Sequence, residues 1–280
     1  MSGSRWGGFR KKLISQWDTI KAPSASVEES PATVQDFDYT QAQGIWNLRS
    51  TTQFSKKNAS TFGSSGATLT STYVTSASNG TNLSTYSFAS TSLGGTNSND
   101  VIVVCAGGEG STAPGPLTTV SSLSVAGVSA TSIVNPSWSS QLGWASTIFA
   151  VTGISDSTGT ISVTFSQTMR RGIISVYRIT GTSGSIPSYT SDYQEGTAGL
   201  TATTSASAGS TTIACVYSDA GSLTLISSGT TSPADYTNTG VESTNGSWAV
   251  GSHNSSSSES VTSTTPTATD EKLLCQVTFG

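Results

Sequence analysis

Few residues of this 280-residue chain have the types and spacing that chemistry needs. There is one histidine, His253, set in Gly-Ser-His-Asn-Ser-Ser-Ser-Ser, which reads as a solvated loop. The three cysteines, Cys105, Cys215 and Cys275, are far apart, each within an apolar run. A common metal site needs clustered His, Cys or carboxylates, and no Cys-x-x-Cys occurs. The sequence therefore assigns no metal ligand and no cofactor, and it reads the cysteines as buried, reduced thiols. Gly-x-Ser-x-Gly and Gly-Lys are both absent, so neither a nucleophile elbow nor a phosphate-cradling Walker loop is encoded. Gly108-x-Gly110 lacks the third glycine of a dinucleotide fingerprint.

Two carboxylates can hydrolyse a glycosidic bond when the fold brings them together. The body offers Asp100, Glu109, Asp156, Asp192, Glu195, Asp219, Asp235, Glu242, Glu259, Asp270 and Glu271. Most stand beside Ser, Gly, Thr or Asn, which reads as turn chemistry. Arg170-Arg171 reads as a strand-end pair facing an acid. Trp138, Trp144 and Trp248 are either core residues or, if exposed, platforms for sugar rings. No catalytic residue is assigned.

The elements that carry these residues follow from pattern. By count, 55 Ser and 45 Thr make up 100 residues, charged residues are 10%, and aromatics are spread along the chain. Such a chain is too poor in helix formers for a bundle and too aromatic for a disordered stalk. Apolar and hydroxyl residues alternate with period two. Ile161, Val163 and Phe165 interleave with Ser162, Thr164 and Ser166, the mark of half-buried strands. The runs 101–105, 213–217 and 273–277 are apolar throughout, as central strands are. Further strands are expected near 67–74, 84–90, 122–125, 145–151, 173–177, 200–206, 222–227 and 247–251. Asn79-Gly80 and Asn245-Gly246 suit two-residue hairpins, and Gly107-Gly108-Glu109-Gly110 reads as a loop. The expected fold is all-β, an antiparallel β-sandwich or jelly roll, with an extended, partly helical N-terminal arm.

Charge divides the chain. Residues 1–57 hold eight Lys/Arg against five acids, net +3; residues 58–280 hold four against eleven, net −7. The arm is thus 1–57 and the body 58–280, with a subdomain break near 181–199. An acidic body repels a phosphate backbone, so nucleic acid is excluded as its ligand. No run of about 18 apolar residues exists to span a membrane. No apolar signal-peptide core follows the basic N-terminus, which points to synthesis in a reducing cytoplasm. In the arm, Trp6, Phe9, Leu13, Trp17 and Ile20 follow a helical stripe. Its aromatics are of the kind that anchor interfaces.

Gly44-Ile-Trp-Asn-Leu48 resembles a pattern of structural proteins of tailed bacteriophages. The stretches 99–108, 123–131, 159–166 and 171–181 are similar to β-rich virion proteins of such phages. The resemblance covers roughly residues 40–220 and brings no catalytic residue with it. It implies a virion component, made in the host cytoplasm, that is not an enzyme. Its partners would be other virion proteins and further copies of itself, as a homo-oligomer, with a host-surface glycan as the second reading. Partner contacts are expected at Trp6, Phe9, Leu13, Trp17, Ile45, Trp46 and Leu48.

Overall fold

A computed structural model describes residues 68–110, 118–137, 143–197, 199–218, 247–265 and 271–280, and the strand course of Asn58–Ser60 and Ile226–Ser227. All belong to one compact unit, Thr51–Gly280. The expected arm helix and the contacts at Trp6, Phe9, Leu13, Trp17, Ile45, Trp46 and Leu48 lie outside the described residues.

Among the described residues all regular structure is strand, and all pairing is antiparallel. In chain order the strands are β1 (Asn58–Ser60), β2 (Thr70–Asn79), β3 (Leu83–Ser92), β4 (Val101–Gly110), β5 (Val120–Val125), β6 (Val128–Ser129), β7 (Thr131–Val134) and β8 (Ala145–Val151). Then follow β9 (Thr158–Thr180), β10 (Tyr189–Gly196), β11 (Thr201–Ala206), β12 (Thr211–Ser218), β13 (Ile226–Ser227), β14 (Ser247–Asn254), β15 (Glu259–Thr264) and β16 (Lys272–Phe279). No described helix is long and apolar enough to cross a membrane.

The largest sheet runs β6-β5-β9-β4-β8-β7, and β2 and β3 also pair with β9. Strand β9 explains its shape. Its first half pairs with β3 and β5, and its second half with β2 and β4. Register shifts on β3, β4 and β5 mark where the partners change. Such bulges bend a strand and increase its twist, so the sheet curls into a near-barrel. Tyr86, Ile102, Val104, Ile161, Val163, Phe165 and Val176 fill its interior. The alternation read from the sequence is real here: Ile161, Val163 and Phe165 are buried while Ser162, Thr164 and Ser166 are more open.

After β9, the segment 181–188 carries the chain into two other sheets, β1-β10-β16-β12-β14 and β11-β15-β13. Val101, Val103 and Cys105 of β4 share one apolar cluster with Ile213, Cys215 and Tyr217 of β12 and with Leu273, Cys275 and Val277 of β16. The two larger sheets therefore bury their faces against each other. The far face of β12, β14 and β16 packs Ala214, Val216, Ala249 and Leu274 against Ala202 of the three-stranded sheet and Leu200 just before it. The three apolar runs seen in the sequence become β4, β12 and β16, buried along their whole length.

Several expectations are corrected. Gly107-Gly108-Glu109-Gly110 is strand, not loop, and pairs with β8 and β9. At Gly107 and Gly108 neighbours come too close for a side chain: a Cβ at Gly108 would lie 2.6 Å from the Arg171 carbonyl oxygen. His253 is not a solvated loop residue but lies buried in β14 opposite Thr212. Asn79-Gly80 does not form a two-residue hairpin: three residues separate β2 from β3, and the Asn79 Oδ1 accepts the Thr81 N–H at 2.9 Å in an Asx turn. Among the described residues a two-residue turn with both central φ positive occurs at Ala126 (49°) and Gly127 (82°), between β5 and β6; the hairpin expected at Asn245-Gly246 lies outside the described residues.

Candidate functional site

Buried charge is the first place to look for chemistry, because it is costly unless paired. Glu109 points from β4 into the fold and receives two arginines. Arg170 Nη1 lies 2.9 Å from Oε1 and Arg171 Nε 3.0 Å from Oε2. Successive strand residues ordinarily face opposite ways. Here Glu109 is opposite Arg171 while Gly110 is opposite Met169, so Arg170 is the extra residue of a bulge. That irregularity lets both guanidinium groups reach one carboxylate. The arginines meet an acidic neighbour as expected, but in the middle of β9 rather than at a strand end.

Arg178 forms a second constellation. Its Nε lies 2.8 Å from Asp100 Oδ2. Nη1 donates to the carbonyls of Leu93 and Gly95 at 2.9 Å each, and Nη2 to that of Asn97 at 2.6 Å. Asn97 Nδ2 in turn donates to Asp100 Oδ1 at 2.8 Å. The guanidinium thus gathers the β3–β4 loop onto β9, and four of its five donors are spent on that task.

The other acids are placed in the same manner. His253 Nε2 and Glu259 Oε1 are 2.8 Å apart, joining β14 to β15. The hydrogen bond from His253 holds the Glu259 carboxyl below its ordinary range. Asp192 in β10 accepts the backbone N–H groups of Tyr193 and Thr203 at 2.9 and 2.8 Å. Burial pushes Glu195 up. Glu271 accepts the Trp144 indole N–H at 3.0 Å. The turn reading is therefore wrong for Glu109, Asp192, Glu195 and Glu259, which lie in strands. Asp156 does lie exposed in the connection before β9. Asp219, Asp235, Glu242 and Asp270 lie outside the described residues.

Trp144 and Trp248 are 0% and 1% exposed, so both are core residues rather than sugar platforms. Trp144 packs against Tyr217 at 5.2 Å between ring centroids, and Trp248 Nε1 donates to Ser175 Oγ at 2.9 Å. Trp138 lies outside the described residues.

Sequence spacing hid one convergence. Cys105, Cys215 and Cys275 are all buried free thiols in the cluster between the two larger sheets. Cys215 and Cys275 stand directly opposite each other on β12 and β16. Nothing in the sequence states that those strands are neighbours. Among the described residues no group of three or more His, Cys, Asp or Glu is arranged to hold a metal ion.

The outer faces carry hydroxyls in register. Ser129, Ser124, Ser162 and Ser87 form one rung across β6, β5, β9 and β3, and Ser122, Thr164 and Thr85 the next. On the three-stranded sheet Thr201, Thr203 and Ser205 stand opposite Thr264, Thr262 and Ser260. Facing hydroxyls bond across the rungs, Thr85 to Thr164 and Thr203 to Thr262, at 3.1 Å each. These surfaces are polar without being charged.

No protein-family profile and no curated protein matches the chain. Two solved structures each align over 81% of this chain and 89% of their own, at 8% identity. One is a conserved protein of unknown function from Pseudomonas aeruginosa PAO1, with a TM-score of 0.30; the other is the plant receptor-like kinase ANX1, at 0.24. Neither likeness is close enough to carry fold or function to this chain.

Proposed function

We propose that the chain is a non-enzymatic structural protein of a bacteriophage virion. Residues 1–57 anchor it to another virion protein. The Ser/Thr-rich β-body is presented, or packed against copies of itself, as a fibre, decoration or tail appendage. A β-sandwich or jelly-roll body on a partly helical arm is the architecture this reading entails.

The observation that carries it is the use made of the body's polar residues. Glu109, Asp100, Asp192, Glu259 and Glu271 each bond a neighbouring strand, loop or indole, so charge is spent on holding the fold together. The outer rungs are left to neutral hydroxyls. Neutral faces associate without the desolvation of paired charges. The net positive charge is confined to the arm, which also bears three of the six tryptophans. The glycan reading is weaker because two of its three candidate platforms, Trp144 and Trp248, lie in the core.

Deleting residues 1–57 tests the anchor. A truncated chain that folds but is lost from particles supports it. A truncated chain found in particles at the occupancy of the full chain contradicts it.

A further inference from the structure

The three thiols are more than filler in the core, because two of them are placed to bond. Cys215 and Cys275 are directly opposed on adjacent antiparallel strands. Opposed residues in such a pair have Cα atoms about 4.5–5.5 Å apart, inside the span of about 4.4–6.8 Å that a disulfide bridges. Both side chains enter the same apolar layer.

Ser146 of β8 touches both sulfurs. Its Oγ lies 3.3 Å from Cys215 Sγ, and its carbonyl accepts the Cys275 S–H at 3.0 Å. Cys105 differs, since it stands on β4 in the facing sheet. The Cys105 thiol touches Cys215, but facing sheets pack about 10 Å apart backbone to backbone, beyond the Cα span of about 4.4–6.8 Å that a disulfide bridges, so a bridge from Cys105 would have to draw the two sheets together.

The thiols also differ in their electrostatic surroundings. Burial pushes Cys105 and Cys275 up. Burial acts on Cys215 in the same sense, yet hydrogen bonds from Cys105, Cys275 and Ser146 outweigh it and hold Cys215 well below the ordinary thiol value. The thiolate is the nucleophile in exchange chemistry, and the opposed placement of Cys215 and Cys275 lets either sulfur attack first.

We infer that Cys215 and Cys275 are an oxidation site, closing to a cross-strand disulfide when the chain meets a two-electron oxidant, while Cys105 stays a thiol. With a diazene such as diamide, one of the two sulfurs adds to one nitrogen of the N=N bond. The other sulfur then attacks it and displaces that nitrogen. One S–S bond forms, two S–H bonds are lost, and the two protons and two electrons leave in the hydrazine product. The inference does not depend on the virion reading.

The test is to treat the full folded chain with diamide, quench with acid, alkylate in guanidinium, and map the peptides by mass spectrometry. One alkylated cysteine, Cys105, in place of three, with a 215–275 linked peptide and the loss of two hydrogens, is the expected result. C105S is expected to form the same link in the same yield, whereas C215S and C275S lose it. Three alkylated cysteines after treatment, or a linkage that includes Cys105, overturn the inference. The wild-type peptide map decides the matter even where a variant fails to fold.

Discussion

The indole of Trp248 fills the space that a side chain at residue 107 would need. A Cβ on Gly107 would overlap the ring at Cζ3 and lie 2.8 Å from Cε3. Trp248 comes from β14 and Gly107 from β4, so the contact joins the two larger sheets at their shared core. Overpacking a filled core costs about 1–3 kcal/mol. Gly107→Ala is predicted to destabilise the body by that amount in urea denaturation. In combination with Trp248→Ala its added cost should shrink, because the ring it strikes is gone.

The Arg178–Asp100 pair should behave as a buried ion pair whose loss strands a charge. Asp100→Ala leaves the guanidinium with carbonyl partners only and is predicted to cost about 3–5 kcal/mol. Arg178→Lys keeps the charge but not the fork that reaches Leu93, Gly95 and Asn97. It too should lower the denaturation midpoint, and hydrogen exchange in the 93–100 loop should rise.

Two acids predict opposite pH effects. The Glu259 carboxyl is depressed by the hydrogen bond from His253. Its stabilising contribution is therefore complete above the unfolded carboxyl value and is lost as pH falls through the lower folded value. Glu259→Gln should lower stability at neutral pH and flatten the acid limb. Glu195 is raised by burial, so its ionised form opposes folding at neutral pH, and that opposition fades as pH falls through the raised value. Glu195→Gln should stabilise the body at pH 7 and change little in acid. Denaturation midpoints measured across the acid range check both signs.

The hydroxyl rungs predict an effect on association rather than on folding. Surface substitutions away from buried features usually stay within about 0.5 kcal/mol. Thr203→Glu and Thr85→Glu should therefore leave the circular dichroism spectrum unchanged. If copies pack through these faces, sedimentation velocity of the wild-type body will show species larger than the monomer, and the charged variants will shift toward the monomer.

What could be read in advance was whatever depends on local alternation. The period-two pattern of 161–166 located the inward and outward faces of β9, and the apolar runs located β4, β12 and β16. Strands β10 and β15 were missed, because Tyr-Thr-Ser-Asp-Tyr-Gln-Glu-Gly and Glu-Ser-Val-Thr-Ser-Thr hold too few apolar residues to signal a strand. Their pairing with β16 and β11 decides them, and that is long-range. Gly107-Gly108 misled for a related reason. Glycine signals a turn locally, but here it answers to Trp248 and the Arg171 carbonyl, which arrive from distant strands. His253 and the three thiols show the same limit. Their residue types were visible, but their partners were not, because sheet order is not written in spacing.

The proposed role requires the chain to be a built-in component of a virion, held there by its arm. Quantitative mass spectrometry of gradient-purified particles carrying either the full chain or residues 58–280 addresses that claim most directly. The prediction is a fixed, multi-copy amount of the full chain per particle and loss of the truncated chain, although its body folds. Absence of the full chain from purified particles, or equal occupancy by the truncated one, would contradict it.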